Sequence, residues 1–251
     1  MPGEIPILCV LILASSGAIA QSQTAFEVAS VRTSRTNAGR PSLEFSRGGE
    51  RLTATNTSVG QLIVTAYGIT PLQLGPLDPI AYETYDIQAK AAQPATRPEM
   101  QRMLQALLAD RFKLSIRREM RQMPSYALVV DKHGPKLTAG RDQAPWNLAR
   151  IRGNEQKSGR MVFESETMPD FAFALSTLVV VGRVVMDETG LAGSYNFALN
   201  FAPPDALAQP ADQSAPSIFT ALREQLGLRL EPRRSPVEFL AIEHIERPSE
   251  N

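Results

Sequence analysis

The chain has 251 residues, 43% of them apolar, 21% charged and 6% aromatic, and its 26 lysines and arginines balance its 26 aspartates and glutamates. This balance is typical of a globular protein and excludes the disordered and fibrous classes. A net charge of zero leaves no excess of positive charge for nucleic acid or an acidic membrane surface, so we expect neither as a partner. With one cysteine and two histidines, we expect no metal site, no thiol chemistry and no cofactor.

The amino terminus has the pattern of a signal peptide. An apolar run over residues 5–13 is shorter than the roughly 20 residues that a membrane-spanning helix needs. Ala18 and Ala20 follow it in the small-x-small pattern of a signal peptidase site, which places cleavage between Ala20 and Gln21. The alternative is a buried core segment. The sequence therefore predicts removal of residues 1–20, export to the periplasm or beyond the cell, and no integral membrane segment in the mature chain.

The mature chain shows an internal repeat. Residues 52–59 precede one apolar helical pattern and residues 162–169 precede another, while Tyr85 and Tyr195 open similar strands 110 residues apart. Each copy follows the order strand, helix, strand, helix, strand, strand, which is typical of the α+β class with helices on one face of each sheet.

The repeat sets the predicted domain organisation. We expect a first repeat over residues 21–137, a polar connecting segment over residues 138–160, and a second repeat over residues 161–251 that contains a mobile loop over residues 202–216. Each repeat alone has few large apolar residues. We therefore predict that the two tandem repeats pack into one unit around one continuous core.

Helix boundaries are marked in both repeats. Residues with capping side chains are expected to begin four helices, at Ser58, Thr96, Thr167 and Ser217. The first two are followed three residues later by Gln61 and Glu99, which completes the pattern of a capping box. Glycines are expected to end three of the helices, at Gly68, Gly182 and Gly227.

The residue types that carry chemistry stand in ordinary structural contexts. His133 begins a turn and His244 lies near Glu246, so a solvated histidine and a surface ion pair are favoured over metal ligands. Ser194 precedes a strand rather than occupying a nucleophile elbow. Asp187 is expected to stabilise a turn, because the loop after it lacks the Gly-Lys-Ser/Thr ending of a phosphate-binding loop. We therefore predict no catalytic, cofactor-binding or metal-binding residues.

Arginines recur at matching places of the two repeats. Arg117 and Arg118 in the first copy match Arg233 and Arg234 in the second. One interpretation is the solvated end of a strand. The other is a pair of contact sites for an acidic partner, such as an envelope polymer or an acidic protein face. The first interpretation is favoured, and the repetition in both copies is the reason for keeping the second.

Several segments resemble a known family. They are FEVASV over residues 26–31, LLADRFKL over residues 107–114, VMDETGLAGSYNF over residues 185–197 and SIFTALREQLGL over residues 217–228. Together they resemble the soil-associated family of uncharacterised exported proteins that is expanded in soil acidobacteria. The resemblance implies an exported domain without an assigned activity, and it supplies no catalytic residues. Each half is also similar to the short amino-terminal domain of secretins and TonB-dependent receptors, a module that docks envelope proteins.

The function favoured by the sequence is a non-enzymatic binding or interaction domain of the cell envelope, with an envelope protein or polymer as its partner. No set of nucleophile, base and orienting group can be assembled from the motifs. The alternative is a secreted hydrolase that uses carboxylates in the cleft between the repeats, for which convergent carboxylates of shifted pKa would be the sign. A structural envelope component is a third interpretation, and it predicts high abundance and self-association.

Overall fold

The computed structural model describes residues 25–35, 39–46, 48–140, 159–202 and 215–248. The predicted signal peptide and its cleavage site at Ala20 and Gln21 lie outside these residues, as do most of the connecting segment and most of the loop over residues 202–216. None of the helices in the described ranges has the length and apolarity to cross a membrane.

The first sheet has four antiparallel strands in the order β1-β4-β3-β2. The strands are β1 (Val28–Thr33), β2 (Ser42–Phe45), β3 (Arg51–Ser58) and β4 (Thr84–Lys90). Buried and exposed residues alternate along β3 and β4 because successive side chains of a strand point to opposite faces. The buried face carries Leu52, Ala54 and Ile87.

Two helices cover the buried face of this sheet. They are α1 (Val59–Tyr67), which ends at the left-handed Gly68, and α2 (Arg97–Arg111), which begins with the capping box of Thr96 and Glu99. These boundaries confirm the sequence-based ones. Two short 3-10 turns, Pro71–Gln73 and Pro79–Tyr82, connect α1 to β4.

The second half of the chain builds a smaller sheet with its own helices. Its strands are β6 (Thr138–Ala139), β7 (Arg160–Thr167) and β9 (Ser194–Asn200), and they pair in the order β6-β9-β7. The helices are α3 (Met168–Ser176) and α4 (Ile218–Ala221), which continues as one π-helical turn over Leu222–Leu226 and ends at the left-handed Gly227. Strands and helices together place the fold in the α+β class, as predicted.

Two long strands join the halves. They are β5 (Ser115–Val130) and β10 (Leu228–His244), which pair with each other in antiparallel fashion along their length, and we call them the central ribbon. The short strand β8 (Val184–Asp187) runs parallel to β5. The sequence had predicted two separate strands in each of these regions. Each region is one continuous strand. The sequence divided it because the polar middle of β5 is exposed on both faces and lacks the alternation that marks a half-buried strand.

The buried side chains form two large clusters. Phe112 and Tyr85 pack edge to face in the first cluster, and Phe163, Phe171 and Phe197 pack together in the second. The prediction of one continuous core is therefore wrong. Each cluster also contains a buried residue from the other half: Leu128 of β5 lies in the second cluster, and Ile245, which directly follows β10, lies in the first.

Helix α3 ends earlier than its sequence predicts. Gly182 was expected to end it, but the last helical residue is Ser176 and the cap is Thr177. The Ser176 hydroxyl donates to the Ala172 carbonyl at 2.8 Å and accepts the Val185 amide at 2.7 Å, which ties the last turn to β8. Gly182 keeps a left-handed conformation (φ 62°) in the turn between α3 and β8.

Candidate functional site

A cleft of about 560 Å³ lies between the two halves, and we call it the interhelical cleft. One wall is the face of α1 that carries Gln61, Val64 and Thr65. The opposite wall is formed by Phe173 and Thr177 of α3. The cleft is therefore lined by residues that lie more than 100 positions apart in the sequence.

The α1 wall follows from the helical period. Residues three and four apart share a face, so Gln61, Thr65 and Gly68 line the cleft while Leu62 and Ile63 are fully buried against the sheet. The Gln101 amide donates to the Thr65 carbonyl at 3.0 Å and the Gln105 amide to the Ala66 carbonyl at 2.8 Å. These bonds satisfy carbonyls of the last turn of α1 and fix it against α2.

The α3 wall is positioned by its helix start. The Thr167 hydroxyl accepts the Asp170 amide at 3.3 Å and donates to the Asp170 carboxylate at 2.7 Å. Phe171 and Leu175 are buried in the second cluster. Phe173 and Thr177 are consequently on the opposite side of the helix, where they face the cleft.

The edge strand β2 closes a third side. Leu43 and Phe45 supply apolar surface there. Thr57 of β3 lies behind them, and its buried hydroxyl donates to the Ser42 carbonyl at 2.7 Å. The lining thus combines aromatic, aliphatic, hydroxyl and amide groups.

Arg97 carries the only formal charge among the described residues that line the cleft. It is the first residue of α2, and its side chain is 22% exposed. Its guanidinium Nη1 lies 3.9 Å from an Asp170 carboxylate oxygen, which is an ion-pair distance but too long for a hydrogen bond.

Glu166 lies beside this ion pair and is 2% exposed. Its Oε1 atom is buried and has no hydrogen-bond partner among the described residues. Burial, and to a smaller extent the Asp170 carboxylate, raise the pKa of Glu166, Arg97 partly offsets the rise, and the resulting pKa is about 8. At neutral pH, Glu166 is therefore protonated and adds no negative charge near Arg97.

A second cavity of about 460 Å³ adjoins the interhelical cleft, and Gln61, Val64 and Pro71 line both. Its lining includes Leu74, Gly75 and Pro76, together with the 67% exposed Tyr82. Ser58 and Gln61 contribute polar groups, and the described lining has no formal charge.

The four arginines predicted to contact an acidic partner lie on the central ribbon. The structure does not bring the two pairs together: Arg118 is opposite Leu240, whereas Arg233 is opposite Ser125. These positions are seven residues apart along β5, which is about 23 Å at the usual rise of a strand.

The same arginines are engaged with nearby carboxylates. Arg117 contacts Glu119 and Glu243, Arg118 contacts Glu238 at 2.7 Å and Arg233 contacts Glu231 at 2.7 Å. Arg234 donates to the Gln122 carbonyl at 3.3 Å. The role of these four residues as partner contacts stays a prediction, and the interhelical cleft does not include them.

The remaining sequence-based candidates lie where ordinary structure requires them. His244 Nε2 is 2.7 Å from a Glu246 carboxylate oxygen on the surface. Asp187 accepts the Thr189 amide at 3.0 Å and stabilises the predicted turn. Within the described residues, no group of histidine, cysteine, aspartate and glutamate side chains is arranged to hold a metal ion.

Sequence reasoning did not single out Arg97, Glu166 or Phe173. Glu166 lies inward because Ser165 adopts a left-handed conformation (φ 52°) and interrupts the register between β7 and β9. Such a bulge reverses which residues of a strand point inward. The pattern of buried residues along β7 up to Phe163 would have placed Glu166 on the outer face.

Comparison with known proteins gives a family but no assigned activity. No curated protein and no solved structure is significantly similar to this chain. A family model described as a protein of unknown function (DUF3738) matches residues 60–245, which is well over half of the 251 residues. The chain therefore belongs to the DUF3738 family of proteins of unknown function.

Proposed function

We propose that this protein is an exported, non-enzymatic binding protein of the cell envelope and that the interhelical cleft is its binding site. The cleft itself supports the proposal. Its volume of about 560 Å³ lies within the range of about 300–1,000 Å³ that is usual for small-molecule sites. Its apolar walls and few polar groups also match the composition of such sites.

The polar groups of the cleft favour binding over catalysis. A nucleophilic hydroxyl needs a general base within hydrogen-bond reach. The Thr57 hydroxyl instead donates to the Ser42 carbonyl, and the Thr177 hydroxyl donates to the Ala174 carbonyl at 2.7 Å. Both hydroxyls are held by the backbone, which suits a fixed wall of a binding site.

A secreted hydrolase is the second candidate function, and Glu166 is the observation that favours it. A carboxyl group with a pKa of about 8 beside a second carboxylate has the protonation state of a general acid. A general acid must reach the substrate, however, and neither Glu166 nor Asp170 belongs to the described lining of the cleft. We therefore place binding first.

Export and envelope docking are supported by the sequence. Residues 1–20 have the pattern of a signal peptide, the segments quoted above resemble the soil-associated exported family, and each half is similar to the short amino-terminal domain of secretins and TonB-dependent receptors. Cell fractionation tests export directly. We expect to find the tagged protein outside the cytoplasm, with the mass of a chain that begins at Gln21. An unprocessed protein in the cytoplasm would contradict the proposal.

The binding site is tested by filling the cleft. We expect Thr65→Trp, on the α1 wall, to abolish co-purification of a bound envelope molecule detected by native mass spectrometry. Thr53→Trp is the matched control, because Thr53 is exposed on β3 away from the cleft. Equal occupancy in both variants would refute the cleft as the site. Turnover of an ester, amide or glycoside by the unaltered protein, lost in Glu166→Gln, would instead establish the hydrolase.

A further inference from the structure

The interhelical cleft has one cationic group in a lining that is otherwise uncharged. The apolar part of the lining includes Leu43, Phe45, Val64 and Phe173. Arg97 adds a guanidinium whose side chain is only 22% exposed. A guanidinium that is largely removed from water is destabilised unless an anion is close to it.

The described residues compensate this charge only in part. Asp170 is 3.9 Å away, and its side chain is 46% exposed, so water screens much of its attraction for Arg97. Glu166, which lies beside this ion pair, is 98% removed from solvent, and its Oε1 atom has no hydrogen-bond partner among the described residues. The protonated carboxyl of Glu166 has no formal charge, so it does not compensate the charge of Arg97.

We propose that the interhelical cleft binds an organic anion, with an apolar body between α1 and α3 and a carboxylate or phosphate group that accepts hydrogen bonds from Arg97. This inference rests on the proposed function and adds the chemical class of the ligand. Guanidinium groups present a planar set of donors that matches both anions in bidentate geometry. Gln61, Thr65 and Thr177 supply further polar contacts along the walls.

The second cavity provides an uncharged comparison for the interhelical cleft. It adjoins the cleft, shares Gln61, Val64 and Pro71 with it and has a similar volume, but its described lining lacks Arg97 and has no formal charge. Electrostatics gives an apolar molecule without an anionic group no preference for the interhelical cleft over this cavity. The preference for an anion is therefore specific to the cleft that contains Arg97.

The test uses two probes with the same ring system, 2-naphthoate and 2-naphthalenemethanol, titrated into the full mature chain and followed by amide chemical shifts of α1 and α3. We expect naphthoate to bind more tightly than the neutral alcohol. Arg97→Gln should lower the affinity for naphthoate by about tenfold or more, because a hydrogen bond to a charged group is lost. The affinity for the alcohol should stay the same. The affinity of Arg97→Lys for naphthoate should lie between those of the unaltered protein and Arg97→Gln, since lysine keeps the charge without the bidentate geometry.

Arg102→Gln is the matched control, because it removes the same charge from an exposed position on α2. Unchanged amide spectra outside the cleft show that each variant is folded. Equal binding of both probes, with no effect of Arg97→Gln, would overturn the anion inference and leave the cleft as a binding site. Failure of both probes to shift the amides of α1 and α3 would overturn the anion inference as well as the proposed site.

Discussion

Glu166 is held in an environment that stabilises its neutral form. Its carboxyl group is buried beside Asp170, and these surroundings raise its pKa to about 8 from 4.5. A carboxyl whose pKa is higher in the folded state than in the unfolded state retains a proton that the unfolded chain releases. Its contribution to stability is therefore complete below about pH 4.5 and is lost as the pH rises towards 8.

Glu166→Gln tests this dependence. The amide stays neutral at every pH, so the variant should lack the decline in unfolding free energy that the unaltered protein shows between about pH 4.5 and 8. The decline has a maximum slope of about 1.4 kcal/mol per pH unit for one proton. Urea unfolding across this pH range measures it. Glu44→Gln, at an exposed position of β2, should keep the decline, and a decline retained by Glu166→Gln would contradict the assignment.

A second carboxyl group has the opposite behaviour. Glu83 accepts hydrogen bonds from the Arg247 guanidinium at 2.9 and 3.1 Å and from the Tyr85 hydroxyl at 3.0 Å. These donors hold the pKa of Glu83 below its ordinary value, with Arg247 as the main cause, and burial and the Glu83 carboxylate raise the pKa of Tyr85 to about 12. This pair ties the segment after β10 to the start of β4.

Arg247→Gln should lower the unfolding free energy only slightly at pH 7, because the Arg247 side chain is exposed and water screens the ion pair. The depressed pKa of Glu83 means that its ionised form contributes stability above the ordinary pKa and loses it as the pH falls. The difference between the variant and the unaltered protein should therefore shrink below pH 4. Thermal unfolding at pH 3 and pH 7 measures this, with exposed Arg32→Gln as control. An equal loss of stability in Arg247→Gln at pH 3 and pH 7 would contradict a stabilising ion pair between Arg247 and Glu83.

At the scale of elements, the ends of the helices were the most predictable features. Ser58, Thr96, Thr167 and Ser217 begin helices as expected, because a capping side chain satisfies amide groups locally and needs no distant partner. Gly182 was misread because the end of α3 is decided by Ser176, which bonds across to β8. Sequence patterns report local bonds more faithfully than bonds between elements.

The bulges at the starts of α1 and α3 show why the candidate site was missed. Asn56 and Ser165 are both left-handed, and their amides donate to Asp86 and Asn196 at 2.8 and 2.7 Å. These acceptors lie 110 residues apart, the same offset as between Tyr85 and Tyr195, and the internal duplication stays a prediction. Neither bulge follows from local sequence, because its acceptor lies on a neighbouring strand.

The ends of α2 and of the π turn after α4 give a matched pair of tests. Lys113 and Gly227 follow the two helical segments, and both are left-handed, with φ of 51° and 64°. A side chain is strained there by about 1–2 kcal/mol, whereas glycine is not. Lys113→Gly should therefore raise the unfolding free energy by about 0.5–1 kcal/mol, since the greater freedom of glycine in the unfolded chain offsets part of the relief.

Gly227→Ala should destabilise the protein by more than the strain alone. A methyl group at Gly227 would overlap the Gly134 carbonyl oxygen, which is backbone and cannot rotate away. Urea unfolding of both variants decides the matter. Opposite signs are expected, and a loss of stability in Lys113→Gly would show that the contact from the Lys113 ammonium to the Asp110 carbonyl outweighs the strain.

At the scale of the whole molecule, the sequence predicted the class but not the way in which the halves are joined. Alternating apolar residues indicated half-buried strands, and helical spacing indicated the helices, so the α+β class followed. The central ribbon did not follow, because its polar middle has no apolar period. The interhelical cleft also depends on the relative position of two distant helices, which no local pattern encodes.

The central ribbon makes the two buried clusters one cooperative unit, and Leu128 tests this. Leu128 belongs to β5 and is fully buried in the second cluster, while β5 also supplies Ile116, which packs against the first. Leu128→Ala should lower the unfolding free energy by about 3 kcal/mol or more, as for other fully buried leucines. Native-state hydrogen exchange should then show the same loss for the slowest amides of β4 and of β9, because unfolding either cluster requires separation of the ribbon.

Met120→Ala is the control, because Met120 lies on the same strand and is 66% exposed, so the slowest amides should keep their exchange rates. A loss of protection in β9 with no change in β4 would mean that the halves unfold independently. In that case the shared strands would serve only as a connection between two stable units. Equal losses would show that neither half has enough buried surface to be stable without the ribbon, as expected for two small clusters that each bury residues of the other half.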